Sequence, residues 1–188
     1  MRPTALALVV SVLASSAAAV DIDAVARDYV AARAAEWVAN PVLLAAVQAG
    51  NTAHAGLDEA AILALDGAWR GEIGQSAQPV IQPVLENPAS DALRAIIHAA
   101  GGMIAEMFVM DNRGLNVAMA ETTSDYWQGD EAKFAETFPR GAGAFHASEV
   151  DFDESSQAFQ IQISFTFTDA AGAAVGAMTV ALNAEALD

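Results

Sequence analysis

An α+β domain, with N-terminal helices packed on a five-stranded antiparallel sheet, is the fold that this 188-residue sequence predicts, and three observations carry it. Apolar residues recur at three-to-four spacing from Asp21 to Ala100, then at a spacing of two beyond Gly102. The change of period falls at the pair Gly101-Gly102. Turn-forming clusters divide the second half into short apolar runs, and no internal repeat or low-complexity linker interrupts either half.

Ile22, Val25 or Ala26, Tyr29, Arg33 and Trp37 share one face of a first helix that starts at Asp21. Asn40 and Pro41 are a favoured cap and first helical residue, so a second helix starts there, and Gly50-Asn51 is expected to close it near Ala49. Leu57 to Glu72 places Leu57, Ala61, Leu65 and Trp69 on one helical face, with Gly71 and Gly74 as its end. A short helix is expected over Pro79 to Leu85. Ser90 is the expected N-cap of a helix carrying Leu93, Ile96, Ile97 and Ala100. Met103 to Met110 and Leu115 to Ala120 flank Asp111-Asn112-Arg113-Gly114 and read as a hairpin. A short helix over Asp130 to Thr137 and a loop over Phe138 to Gly141 come next. Three strands complete the chain: Ala144 to Phe152, Gln157 to Thr168 and Ala174 to Asn183. Asp153-Glu154-Ser155-Ser156 and Asp169-Ala170-Ala171-Gly172 separate them. In the middle strand Phe159, Ile161, Ile163, Phe165 and Phe167 alternate with Gln160, Gln162, Ser164 and Thr166. One face is therefore buried, and the other is either solvated or the wall of a pocket.

Composition excludes several functions. Without cysteine there is no disulfide, Cys-ligated metal or thiol nucleophile. Eight Lys+Arg against 24 Asp+Glu, a net charge of −16, offer no basic stripe to nucleic acid and are repelled by anionic lipid. The hydrophobic fraction of 54% is inflated by 45 alanines and marks no membrane protein. Arg2, the uncharged apolar stretch from Thr4 to Leu13 and the small residues Ala17-Ala18-Ala19 form a signal-peptide pattern, with cleavage expected after Ala19. The competing reading is a retained anchor, but the stretch is shorter than the ~20 residues a span requires. Loss of Arg2 takes the charge from −16 to −17. The expected organisation is a leader over 1–19, a helical segment over 20–102 and the sheet over 103–188, in a soluble periplasmic protein with no membrane insertion of the mature chain.

The chemistry-bearing residues concentrate between Glu121 and Phe134. This stretch holds hydroxyls, Tyr126 and Trp127, Gln128, the carboxylates Asp125, Asp130 and Glu131, and the only lysine, Lys133. Two readings stand side by side. In one, Tyr126 and Trp127 wall a small-ligand pocket while Asp125, Asp130 and Lys133 orient its occupant. In the other, Asp130 and Glu131 stabilise a helix N-terminus and the aromatics pack on the sheet.

Met110-Asp111-Asn112-Arg113-Gly114-Leu115-Asn116-Val117-Ala118, followed by Thr123-Ser124-Asp125-Tyr126-Trp127-Gln128-Gly129-Asp130-Glu131, resembles the core of Cache domains, the PAS-like extracytoplasmic sensor modules of bacterial receptors. The Asp153-Glu154-Ser155-Ser156 turn and the Gly176-Ala177-Met178-Thr179-Val180 strand extend the resemblance over roughly Met103 to Leu187. It implies a five-stranded PAS-like sheet with a small-molecule pocket between the sheet and the segment from Asp125 to Lys133. Its departure from the usual receptor layout is that no transmembrane helix or signalling domain follows Asp188, so a soluble single-domain form is expected.

Arg140 follows a proline and precedes a glycine-rich loop, where it either clamps a ligand carboxylate or pairs with one of the chain's many acids. His146, at the start of a strand, either donates to the same ligand or is structural. Enzyme readings find little support. His54, His98 and His146 are far apart in sequence and belong to no catalytic pattern, no phosphate-cradling glycine loop is present, and no cofactor is expected. Asp151, Asp153 and Glu154 lack the alternating ligands and glycine of a calcium loop. The expectation is a non-catalytic sensor that binds a small polar metabolite, an organic acid or amino acid in preference to an amine, and signals to a membrane receptor or sensor kinase. A ligand-free accessory protein docking on such a receptor and a weak carboxylate hydrolase are the alternatives.

Overall fold

A computed structural model describes residues 21–153 and 157–187. The leader with its cleavage after Ala19, and Glu154 to Ser156 of the predicted turn, lie outside the described residues.

The helical half is organised by short polar caps. Asp21 accepts from Ala24 N at the start of α1 (Ile22–Val38). Asn40 Oδ1 accepts from Val42 N and Leu43 N at the start of α2 (Pro41–Ala53). Each such cap satisfies backbone donors that have no partner inside the helix. Among the described residues no single helix is long and apolar enough to cross a membrane, and α1 and α2 are bent by 77° at their junction. Contrary to expectation, α2 runs through Gly50 and Asn51. Gly50 is there for close packing, since a Cβ would collide with Val117 Cγ1 and meet Asp111 Cβ at 3.3 Å. Asp58 caps α3 (Glu59–Glu72), and α4 (Ile81–Leu85) is a short link. The cap of α5 (Pro88–Ala99) is Asn87, not Ser90, because Asn87 Oδ1 reaches both Ala89 N and Ser90 N with Pro88 at the first position. Ser90 instead lies buried, donating to Val84 O at 2.6 Å and accepting from Met119 N at 2.9 Å.

The sheet contains β1 (Ile104–Met110), β2 (Asn116–Met119), β3 (Phe145–Ala147), β4 (Asp151–Asp153), β5 (Ala158–Thr168) and β6 (Ala174–Asn183). All pairings are antiparallel, in the order β2-β1-β6-β5-β3, with β4 also on β5. There are six strands rather than five because the predicted strand from Ala144 to Phe152 splits. At Ser148 the side-chain Oγ, in place of a backbone carbonyl, accepts from Gln162 N at 2.9 Å, so the chain leaves the ladder until Asp151.

Ile161, Ile163, Phe165 and Phe167 of β5 join Met107 and Val109 of β1 in a core covered by α1, α2 and α5. A second core gathers Phe108 and Met110 on the opposite face of β1 with Leu115, Tyr126 and Phe134, and with Ile62 and Trp69 of α3. The two cores leave the polar face of β5 to the short helix α6 (Ala132–Ala135) and the β3–β4 segment.

Candidate functional site

The segment from Thr123 to Gln128 is held from several sides. Asp66, buried on α3, accepts from Tyr126 N at 2.9 Å and Trp127 N at 3.0 Å through Oδ1. Its Oδ2 lies 2.6 Å from Arg70, whose Nε in turn meets Asp125 Oδ1 at 2.7 Å. The Asp125 carbonyl accepts from Asn116 Nδ2, Thr123 Oγ1 and Gln128 Nε2. Tyr126 stacks on Trp69 with centroids 5.0 Å apart, and burial, with the Asp111 charge second, pushes its phenol up to about 12. The Trp127 indole donates to Arg113 O at 2.8 Å. Gly114, at φ +79°, allows the hairpin to touch Gly129, where a Cβ would come within 2.6 Å of the Gly129 Cα.

The last tie of this segment reaches Lys133. Gln128 Oε1 accepts from Lys133 Nζ at 3.1 Å, Glu131 Oε2 lies at 3.0 Å, and the ammonium stands 5.5 Å from the Phe108 ring centroid. Three partners thus orient the chain's only lysine at the edge of a cavity of about 580 Å³. The floor is the polar face of β5, through Gln160, Gln162 and Ser164. The walls are α6 and the β3–β4 segment, with His146 in register opposite Ser164. Ser164 is fully buried and shares a 2.9 Å hydrogen bond with Thr179 Oγ1. Carboxylates outnumber cations around this space: Glu131, Glu149, Asp151 and Asp153 line it beside Lys133 and His146.

Glu106, half-buried on β1, feels the same charges. Burial raises its carboxyl from an ordinary 4.5 to about 7, Asp153 and Glu121 add to the rise, and Lys133 opposes it. Close to neutrality this group therefore holds its proton for about half the time.

Of the seven residues singled out in the sequence, Lys133 and His146 meet at this cavity. Asp125, Tyr126 and Trp127 are fastened into the fold beside it. Asp130 is exposed, and Arg140 lies exposed with its guanidinium on Glu136 at 3.0 and 3.1 Å. Sequence reasoning did not single out Gln160, Gln162 and Ser164, although the strict alternation of β5 carried the signal. It had no signal for His54 Nδ1 meeting Asp111 Oδ2 at 2.5 Å, a pairing across 57 positions. Among the described residues no group of three His, Asp or Glu is placed to hold a metal ion.

No protein-family model matches the chain, and no curated protein matches it either. Among solved structures it is similar to the ligand-binding domain of the Campylobacter jejuni chemoreceptor Tlp3 in complex with 4-methylisoleucine, at 15% identity and TM-score 0.41, over 81% of this chain and 61% of that one. It is similar also to the sensor domain of the V. cholerae histidine kinase DctB, at 12% identity and TM-score 0.40, over 83% and 59%. A third is the ligand-binding domain of the Pseudomonas fluorescens chemoreceptor CtaA in complex with L-serine, at 15% identity and TM-score 0.36, over 67% and 51%. The chain spans about three fifths of the first two structures and half of the third.

Proposed function

We propose that this protein is an exported, Cache-like sensor module that binds a small zwitterionic metabolite of the amino-acid type, without turnover, and passes its occupancy to a membrane receptor or sensor kinase. The observation that carries the ligand class is the one oriented lysine at the rim of a polar cavity otherwise rich in carboxylates. A ligand carboxylate finds Lys133 and His146, and an α-ammonium finds Asp151, Glu149 or Asp153. A dicarboxylic acid would set a second negative charge among four carboxylates, so the organic-acid half of the expectation is the less supported one. The receptor context rests on the Cache resemblance of Met110 to Glu131, and export rests on the leader pattern ending at Ala19.

The acidic lining also favours a second reading, a simple amine. A thermal-shift series that pairs each amino acid with its decarboxylated amine separates the two, since a ligand bound only by the folded state raises the melting temperature. The zwitterion reading expects shifts with amino acids that shrink for the matching amines and vanish in Lys133→Met. Equal shifts for both members of a pair move the assignment to amines, and no shift with any amino acid, amine or dicarboxylate overturns the sensor reading.

A further inference from the structure

A separate cavity, of about 370 Å³, lies between α1 and α5 at the start of β1 and shares no lining residue with the carboxylate-rich one. Ile96, Ala99, Ala100 and Met103 give it an apolar wall. Its side-chain nitrogen and oxygen atoms all come from α1, and two groups among them are donors that folding leaves open.

Arg33 is the first. Arg27, Arg70, Arg94, Lys133 and Arg140 each pair with a carboxylate, whereas among the described residues no carboxylate pairs with Arg33. Its guanidinium is nevertheless held in place, since Nη1 donates to Tyr29 O at 2.9 Å and Cζ stands 3.7 Å from the Tyr29 ring centroid. A planar fork fixed in this way loses little freedom when its remaining N–H groups meet an acceptor.

Trp37 is the second. The indoles of Trp69 and Trp127 donate to Thr123 O at 2.9 Å and to Arg113 O at 2.8 Å. That of Trp37 donates to no group of the described residues, although the residue is only 4% exposed and stacks on Phe165. Its N–H is not sealed off, because it keeps contact with solvent and Trp37 lines this cavity. A buried indole ordinarily finds a partner, so an open N–H beside an unpaired guanidinium marks a place for an acceptor.

We infer that this cavity is a ligand site for an aliphatic monocarboxylate, whose carboxylate accepts from the Arg33 guanidinium and the Trp37 indole while its chain lies along α5. The two donors stand at i and i+4, one above the other on a single face of α1. Charge selects the class of ligand. A cation would lie against an unpaired guanidinium, and a second carboxylate would meet Glu36, which is exposed on the same helix and lines the same space. The site stands whether or not the amino-acid reading of the first cavity holds.

The test titrates the mature chain with hexanoate, hexanamide and hexylamine, which share a chain length and differ in charge, and follows the three indole N–H peaks in assigned proton–nitrogen spectra. Hexanoate is expected to move the Trp37 peak downfield and to leave those of Trp69 and Trp127, whose donors are already spent, in place. Its affinity is expected to exceed that of either other probe at least about fivefold. Arg33→Gln, at a half-buried helical position, is expected to weaken hexanoate at least about tenfold. Ala99→Trp, which fills the cavity from an exposed position of α5, serves if that variant does not fold. A Trp37 peak that hexanoate does not move, equal affinity for hexanoate and either other probe, or undiminished binding to a folded variant would each overturn the proposal.

Discussion

Two neighbouring stretches, Thr123 to Gln128 and Glu131 to Asp153, are comparably rich in polar groups, yet they use them in opposite ways. In the first, Asp125, Thr123, Gln128 and the backbone of Tyr126 and Trp127 bond to one another, to Asp66 and to Arg70. In the second, Lys133, His146, Glu149 and Asp151 surround open space. A dense cluster of functional-looking residues can thus be a fastening, and the binding groups can lie next to it, oriented by it. Gln128 is the hinge of that relation, bonding to Asp125 O with its amide nitrogen and to Lys133 with its amide oxygen.

The largest effect that sharpens the contrast is expected from Asp66→Ala. It leaves the buried Tyr126 N–H and the part-buried Trp127 N–H without an acceptor, at a cost of about 2–4 kcal/mol together, while Arg70, 59% exposed, keeps Asp125 and solvent. Denaturant midpoints measure the loss, which should appear with or without ligand. An effect under about 1 kcal/mol would show that the segment is not a fastening.

Glu106→Gln comes next, and its effect depends on pH. With the carboxyl raised from 4.5 to about 7, the folded state holds a proton between those values that the unfolded chain has released. The stability this contributes is complete below pH 4.5 and is lost as the pH rises towards 7. The amide variant should therefore match the wild type in acid and exceed it by on the order of 2 kcal/mol above neutrality, as read from urea unfolding at both extremes. Equal pH profiles would place Glu106 in an ordinary solvated setting.

Lys133→Met should change stability by under about 1 kcal/mol, since its ion pair with Glu131 is partly exposed, and lower amino-acid affinity by at least about tenfold in calorimetry. If affinity is untouched, the second stretch is surface rather than site. The smallest effect is expected from Arg140→Ala. A solvent-exposed pair with Glu136 is worth about 0.5 kcal/mol, and neither melting temperature nor ligand affinity should move measurably. A tenfold affinity loss would restore the carboxylate clamp expected from its sequence neighbourhood.

Much of the fold was legible because its signals are local. The Asn40-Pro41 start and the alternation of Gln160 to Phe167 each act within a few residues, and the structure contains both. The misplaced boundaries share one cause, which is tertiary contact. Gly50 reads as a helix end until Val117 packs against it, Ser90 reads as a cap until Val84 and Met119 claim its hydroxyl, and Ser148 reads as strand until it bonds Gln162. The candidate site was half legible. Lys133 and His146 were named for their rarity and setting, whereas the floor of β5 was recognised only as a face that is either solvated or walls a pocket.

What the sequence determines by itself is the order of elements, the period of each, the absence of any thiol and the segment in which polar groups concentrate. What only the tertiary structure decides is which of those groups are spent. Asp66 and Tyr126 are 60 positions apart and His54 and Asp111 are 57, and no local spacing encodes such a bond. The strength and availability of a polar side chain are set by who stands within about 3 Å of it in a water-poor interior, and that neighbour is supplied by packing rather than by sequence distance.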